Sequence, residues 1–259
     1  MTAETTSLNL KLRGLKLPAF VAERDEVAAR AEREGWSFER FLATLVETEC
    51  ADRHRRKITR LLRQSCLPPD KTLGTLKLDL LPTAIRRMLP TLGEGGFVDK
   101  AENILAFGLP GRGKTHLVAA IGHELVLRGF SVLFVAAYAL VQRLLAARRT
   151  FDLEGALKRL DAFDVVIIDD IGYIQQDRDE MEVLFTFLSE RYERRSVMIT
   201  SNLVFSQWDK IFKDPMTTAA AIDRIVHHAT ILELPGPSIR ETEALARVRT
   251  LAQSTGATP

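Results

Sequence analysis

From residue 103 to residue 234, short apolar runs alternate with longer amphipathic stretches, and that alternation leaves few folds open to the chain. The runs are Asn103–Phe107, Val132–Ala136, Val165–Asp169, Val197–Ser201 and Thr230–Leu234, each of the length expected for a strand buried on both faces. Helical periodicity fills the spaces between them, roughly 114–128, 138–148, 177–194 and 215–228. Continuous apolar strands separated by helices predict an α/β fold, a mostly parallel sheet sandwiched in three layers. The punctuation agrees. Gly129 is suited to stop the first of these helices, and Asp214-Pro215 is suited to start the last, with the acid as cap and the proline in the first turn.

The N-terminal third has a different rhythm. Ser37 can cap a helix whose first turn holds Glu39. Phe38, Phe41, Leu42, Leu45 and Val46 follow at helical spacing, and Ile58, Leu61 and Leu62 continue the pattern, with Trp36, Phe38 and Phe41 read as core. This predicts one helix of about 25 residues, roughly 38 Å long, ended by Pro68-Pro69. The expected organisation is a helical N-terminal domain over 1–66, a linker over 67–75, an α/β domain over 76–250 and a disordered tail over 251–259. Hydrophobic residues are 46% of the 259 and charged residues 27%, an ordinary balance for a soluble protein. No run of about 18 apolar residues predicts a membrane span, and Met1–Leu10 shows no secretion signal. The two cysteines, Cys50 and Cys66, fit free thiols in a reducing cytoplasm better than a disulfide.

The first apolar run leads into Gly108-Leu109-Pro110-Gly111-Arg112-Gly113-Lys114-Thr115, which opens a helix. This spacing between strand and helix is that of a phosphate-binding loop. Backbone N–H groups must converge on phosphate oxygens, and side chains would block them, so Gly108, Gly111 and Gly113 carry none. The phosphates then sit at the positive end of the helix. Lys114 brings a point charge to the β- and γ-phosphates, and Thr115 offers a hydroxyl to Mg²⁺. Pro110, Arg112 and His116, within and just after the loop, are assigned to the same ATP site.

Val165-Val166-Ile167-Ile168 ends in Asp169-Asp170. In open α/β sheets ligands bind at the C-terminal strand edge, where these acids stand. Asp169 is the expected Mg²⁺ holder and Asp170 the group that polarises an attacking water. The fourth run ends Thr200-Ser201-Asn202, and Thr200 and Asn202 are expected to face the γ-phosphate. The chain is therefore read as an ATPase using ATP and Mg²⁺.

These strand ends, in this order, resemble the AAA+ ATPases of the initiator and helicase-loader branch. The closer resemblance is to IstB-type transposition helpers and their relatives, the DnaC and DnaI helicase loaders. It rests on Asn103 to Leu117, Val166 to Tyr173, Ile199 to Asn202 and Ala221-Ile-Asp-Arg-Ile-Val-His227, with Leu15-Lys-Leu-Pro18 and the basic helix ending at Leu67-Pro68. It implies that Arg224 acts in trans on a neighbouring subunit's ATP, in a ring or helical oligomer. It also implies that Arg240 is a sensor arginine and that an IstA-type transposase is the partner. Many AAA+ proteins have Glu where Asp170 stands; the shorter side chain implies either slow hydrolysis or action through an extra water.

Net charge is only +2, but Arg53, Arg55, Arg56, Lys57, Arg60 and Arg63 fall in a stretch without an acid. Arg53, Arg56, Lys57 and Arg60 lie at i, i+3, i+4 and i+7, one helix face suited to duplex DNA phosphates. The resemblance adds Arg143, Arg148 and Arg149 as a second DNA-facing group. The leading expectation is an ATP-dependent helper of a transposase. The alternative is a DnaC-like loader of a replicative helicase, which an exposed apolar docking patch would favour. A small-molecule kinase would need a substrate pocket with its own base and a mobile lid, and no lid-like arginine cluster is read after the last strand.

Overall fold

The computed structural model describes residues 3–173, 178–203, 215–236 and 238. They fall into two compact units, residues 1–60 and 61–259.

The first unit is helical. Helices α1 (Ala3–Gly14) and α2 (Pro18–Glu34) precede α3 (Phe38–Ser65), which begins in this unit. Pro18 stands in the first turn of α2, and Gly35 ends that helix with φ 63°, a left-handed conformation natural for glycine. The Ser37 hydroxyl accepts a hydrogen bond from the Arg40 N–H at 3.2 Å, so the expected cap of α3 is present. Leu45 and Ala19 are buried. Of the apolar positions expected to pack, however, Phe38 is 93% exposed, Leu42 55% and Val46 45%. The expectation of core packing for Phe38 is corrected: helical periodicity marks a stripe, and this helical layer buries one edge of it. Glu49 is buried instead. Its carboxylate accepts the Ala19 N–H at the start of α2 (2.8 Å) and the Arg53 Nε–H (2.9 Å). Burial alone would raise the Glu49 pKa, but Arg53, the Ala19 N–H and Arg56 together hold it below the usual carboxylate value.

The second unit is built on five parallel strands, β1 (Asn103–Phe107), β2 (Val132–Ala136), β3 (Val165–Asp169), β4 (Ser196–Ser201) and β5 (Ala229–Glu233), in the order β2-β3-β4-β1-β5. Every residue of β1 and β4 is buried, which is why these segments read as continuous apolar runs. Helices α6 (Lys114–Leu127), α7 (Ala137–Arg149), α9 (Arg178–Arg191) and α10 (Pro215–Val226) lie within a residue or three of their expected ranges, and Gly129 has φ 90° just beyond α6. Helices α4 (Thr83–Glu94), α5 (Gly96–Asp99) and α8 (Leu153–Asp161) were not expected from the apolar pattern. One face packs α7 and α9 on Leu133, Val135, Val166 and Ile168, around the fully buried Phe187.

Residues 67–75, expected as a linker, belong to this unit. Leu67 is buried with its methyls beside Gly122 of α6, where an added Cβ would stand 3.0 Å from one of them and 3.6 Å from the other. The His123 Nε2 lies 2.9 Å from the Pro68 carbonyl. The tail 251–259 lies outside the described residues.

Candidate nucleotide-binding site

Parallel topology carries the C-terminal ends of β1, β3 and β4 to one edge of the sheet. There a cavity of about 390 Å³ is lined by Pro110, Gly111, Arg112, Gly113, Lys114, Thr115, His116, Asp170 and Asn202. Its other wall comes from Lys71, Thr75, Leu76, Lys77 and Leu81.

The loop requires its glycines. Gly108 has φ 155°, and a Cβ there would stand 2.6 Å from the Leu234 carbonyl oxygen; Gly113 caps α6 with φ 87°. Lys114 is buried, and its Nζ donates to the carbonyls of Gly108 (2.7 Å) and Leu109 (3.1 Å), which holds the ammonium over the loop. Arg112, 9% exposed, packs its guanidinium against Gly236.

Asp169 and Asp170 leave β3 in different directions, because Asp170 is left-handed with φ 59°. Aspartate tolerates this region better than most residues. Thr200, fully buried at the end of β4, fastens both. Its hydroxyl donates to Asp169 Oδ1 at 2.6 Å and accepts the Asp170 N–H at 2.8 Å. The expectation that Thr200 faces the γ-phosphate is corrected: its one proton is committed to Asp169. Asn202 lines the cavity, with Gly172 so close to its Oδ1 that a Cβ would fall 2.1 Å away.

His116 lines the cavity through the opposite wall. Its Nε2 lies 3.1 Å from both the Thr72 carbonyl and the Thr75 hydroxyl, so it ties the 72–75 turn to α6. Pattern reasoning missed this wall. The stretch holds five leucines, Leu73, Leu76, Leu78, Leu80 and Leu81, of which Leu76 and Leu81 are buried, but they follow neither helical nor strand spacing over a whole element.

Thr115 and Asp169 offer oxygen donors, the hard ligands Mg²⁺ takes, and the glycine cradle leaves room for phosphate. The residues present therefore fit a magnesium nucleotide.

Arg224 does not join this cavity. It lies in a cleft with Asn103, the first residue of β1, whereas the loop follows the last; four strand steps separate them, about 13 Å. Its guanidinium stacks 5.0 Å from the Phe185 ring, and its Nη1 is buried with no hydrogen-bond partner among the described residues. Asn103 anchors the helix end beside it, donating to the Ile225 carbonyl (3.1 Å) and accepting the Val197 N–H (2.9 Å). In the same cleft Arg191 is buried and donates to the carbonyls of Leu160, Phe163, Asp164 and Ser196. Burial brings its pKa down to about 10. Arg240 lies outside the described residues.

The basic stripe is partly neutralised from one turn upstream. Arg53 pairs with Glu49 (2.9 Å) and donates to the Lys16 carbonyl; Arg56 pairs with Asp52 (2.8 Å) and Arg55 with Asp52. Lys57 and Arg60 are exposed and make no ion pair among the described residues. In the second unit Arg148 pairs with Glu182 (3.1 Å), while Arg143 and Arg149 are exposed. Cys50 and Cys66 are exposed free thiols, and no helix among the described residues is long and apolar enough to cross a membrane.

The fold matches known proteins. The DnaI structure superposes with a TM-score of 0.54 at 23% identity over 65% of this chain and 95% of that one; the DnaC helicase loader gives 0.52 at 18% over 59% and 89%. These likenesses show the fold, a parallel α/β sheet arranged as in those two proteins. In sequence, the chain is 43% identical over 249 residues to a putative insertion sequence ATP-binding protein, y4iQ/y4nD/y4sD, of Sinorhizobium fredii, covering 96% of this chain and 84% of the relative. It is 34% identical to the insertion sequence IS21 putative ATP-binding protein of Pseudomonas aeruginosa, over 91% and 89%. The profile of the family described as IstB-like ATP binding protein matches residues 10–246, and the chain belongs to that family.

Proposed function

We propose that the chain is a DNA-binding, self-associating ATPase that assists an IstA-type transposase in selecting or remodelling target DNA. The observation that carries the reading is the convergence on one cavity of Lys114, Thr115, Asp170 and Asn202 from three adjacent strand ends. Lys114 neutralises charge on the β- and γ-phosphates. Thr115 and Asp169 would hold Mg²⁺, which when bound would offset negative charge on the phosphates. Thr200 orients Asp169, and Asp170 accepts a proton from the attacking water. Asn202 donates to the γ-phosphate or the water. Arg224, in a cleft with the first residue of β1 whereas its own loop follows the last, serves a neighbouring subunit's nucleotide, so hydrolysis depends on assembly into a ring or helix. Lys57, Arg60, Arg143 and Arg149 contact duplex DNA phosphates, with Arg53, Arg56 and Arg148 contributing less because acids already occupy them. Within this reading residues 1–66 form the DNA-gripping part, 76–250 the ATPase part, and Arg240 senses the nucleotide; the protein works in the cytoplasm.

The test is hydrolysis and nucleotide binding measured on the same samples. Asp170→Asn is expected to lower turnover about 10²–10⁴-fold while ATP affinity stays within a factor of a few. Unchanged turnover would remove Asp170 from the role. Mixing Lys114→Ala with Arg224→Ala protein should restore activity to some subunit interfaces if Arg224 acts in trans, and none if it acts in cis. Duplex binding should weaken steeply with salt, and the slope should fall by about one on Lys57→Ala or Arg60→Ala.

One observation favours the alternative, a DnaC-like loader of a replicative helicase. The exposed Phe38, Leu42 and Val46, at i, i+4 and i+8 on α3, offer an apolar face to a protein client. Binding assays of Phe38→Ser against purified transposase and purified helicase would separate the two clients.

A further inference from the structure

The N-terminal edge of the sheet, opposite the nucleotide cavity, carries a second cluster of chemically capable side chains. Two turns meet there. One, residues 192–195, leads from α9 into β4; the other, residues 227–228, leads from α10 into β5. Since β4 and β5 flank β1, the two turns are neighbours although far apart in the chain. Glu193, His227 and His228 project from them, all exposed, and one ligand atom from each lies within 4.8 Å of the others.

Loose surface contacts already join the group: His228 and Glu193 are within ion-pair reach when the imidazole is protonated, and Glu193 hydrogen-bonds the Tyr192 hydroxyl. The His228 Nε2 stands 3.9 Å from the Glu193 carboxylate, too far for a hydrogen bond. Glu193 also sits among arginines that are already used: Arg194 pairs with Asp161 at 2.7 Å, and Arg195 with Asp164 at 2.7 Å. The two imidazole rings lie 4.0 Å apart and tilted by 54°. The His227 Nδ1 is 3.2 Å from the Tyr192 hydroxyl. A histidine that ligates a metal commonly engages a partner with its other ring nitrogen, which sets the tautomer and the ring orientation. Tyr192 is placed for that part.

We propose that Glu193, His227 and His228 bind one zinc-class divalent ion, with water in the fourth position and Tyr192 orienting His227. Two imidazoles and a carboxylate suit zinc and its transition-metal neighbours rather than magnesium or calcium. Ligands held about 2.0–2.2 Å from a tetrahedral ion lie roughly 3.3–3.6 Å from one another. The three atoms must therefore close by about an ångström, within reach of exposed side chains changing rotamer. The ion ties the start of β4 to the start of β5 and pins the end of α10, three residues after Arg224. Ion binding itself does not depend on the role proposed for Arg224.

The test uses the full chain, stripped of metal and without nucleotide. Co²⁺ is titrated in and its visible ligand-field absorption followed; Zn²⁺ binding is measured by calorimetry. One equivalent per chain is expected, with the absorption intensity of a four-coordinate ion. Zn²⁺ should raise the thermal midpoint of the parent chain. The variant His227→Ala/His228→Ala should lose both effects while keeping the metal-free midpoint. Glu193→Gln should weaken binding, and Tyr192→Phe should weaken it about 10–100-fold, as for other groups that orient a ligand. These two conservative surface changes keep the test decisive if the double variant does not fold. Absence of Co²⁺ binding, or equal affinity in the double variant and the parent, would overturn the proposal.

Discussion

The two units obey the same hydrophobic rule with different fidelity. In the sheet unit every residue of β1 and β4 is buried, and so is Phe187 beneath them. In the helical unit the apolar stripe of α3 is divided: Leu45 is buried, whereas Phe38, Leu42 and Val46 are exposed. A central strand covered on both faces has nowhere to place a side chain except the interior. A helix in a thin layer covers one flank and leaves the other open. The same apolar residue thus contributes to stability in one unit and offers a surface in the other. In the helical unit part of the ordering falls to a buried carboxylate, Glu49, which links the start of α2 to α3.

The largest effect expected from this contrast is at Phe187. Phe187→Ala should cost about 3–5 kcal/mol by chemical denaturation, since a large cavity opens between α7, α9 and the sheet. A loss under 1 kcal/mol would show that the sheet core is less tightly packed than its burial implies.

Thr200→Val tests the ordering at the sheet edge. It keeps the shape but removes the hydroxyl that fastens Asp169 and Asp170. On the proposed role of Asp169 in holding Mg²⁺, magnesium-dependent ATP turnover should fall about 10–100-fold, the usual cost of removing a partner that orients a metal ligand. Nucleotide binding in the absence of magnesium should change little.

The helical unit should respond less. Glu49→Gln weakens the bonds to Ala19 and Arg53, and because Arg53 is half-exposed the cost is expected near 1 kcal/mol. Its pH dependence has a definite sign. The folded carboxyl titrates below its ordinary value of 4.5, so its contribution is present above that value and is lost as pH falls through the lower folded one. The stability difference between parent and Glu49→Gln should therefore be constant near neutrality and close on acidification. A gap that widened in acid would contradict the assignment.

Phe38→Ser should have the smallest effect on stability, within about 0.5 kcal/mol, as for surface changes that open no cavity. Its consequence should appear in partner binding. A large loss of stability would place Phe38 in a core and erase the contrast.

The five strands and the phosphate loop were legible because each carries a strong local signal. Short continuous apolar runs bounded by turn signals and alternating with helices suit parallel strands buried on both faces, and the loop needs glycine at defined positions for close backbone approach. Helices α4, α5 and α8 were not legible, since their short amphipathic patterns resemble loops with scattered apolar residues. The cavity wall at 71–81 was hidden for a related reason. His116 holds it to α6 through a contact spanning more than forty positions, and no local pattern encodes such a pairing.

Read from the residues alone, the chain could be assigned its parallel sheet, its phosphate loop and the acids Asp169 and Asp170, because strand burial and phosphate chemistry each restrict residue types at fixed spacing. Tertiary structure decided the rest. It turned Thr200 from a group facing phosphate into the clasp of two acids. It set Arg224 at the edge of the sheet away from its own loop, and it spent Arg53 and Arg56 partly on Glu49 and Asp52. Those outcomes depend on which polar atoms meet when distant segments pack, and a hydroxyl or guanidinium takes the partner that geometry places within about 3 Å.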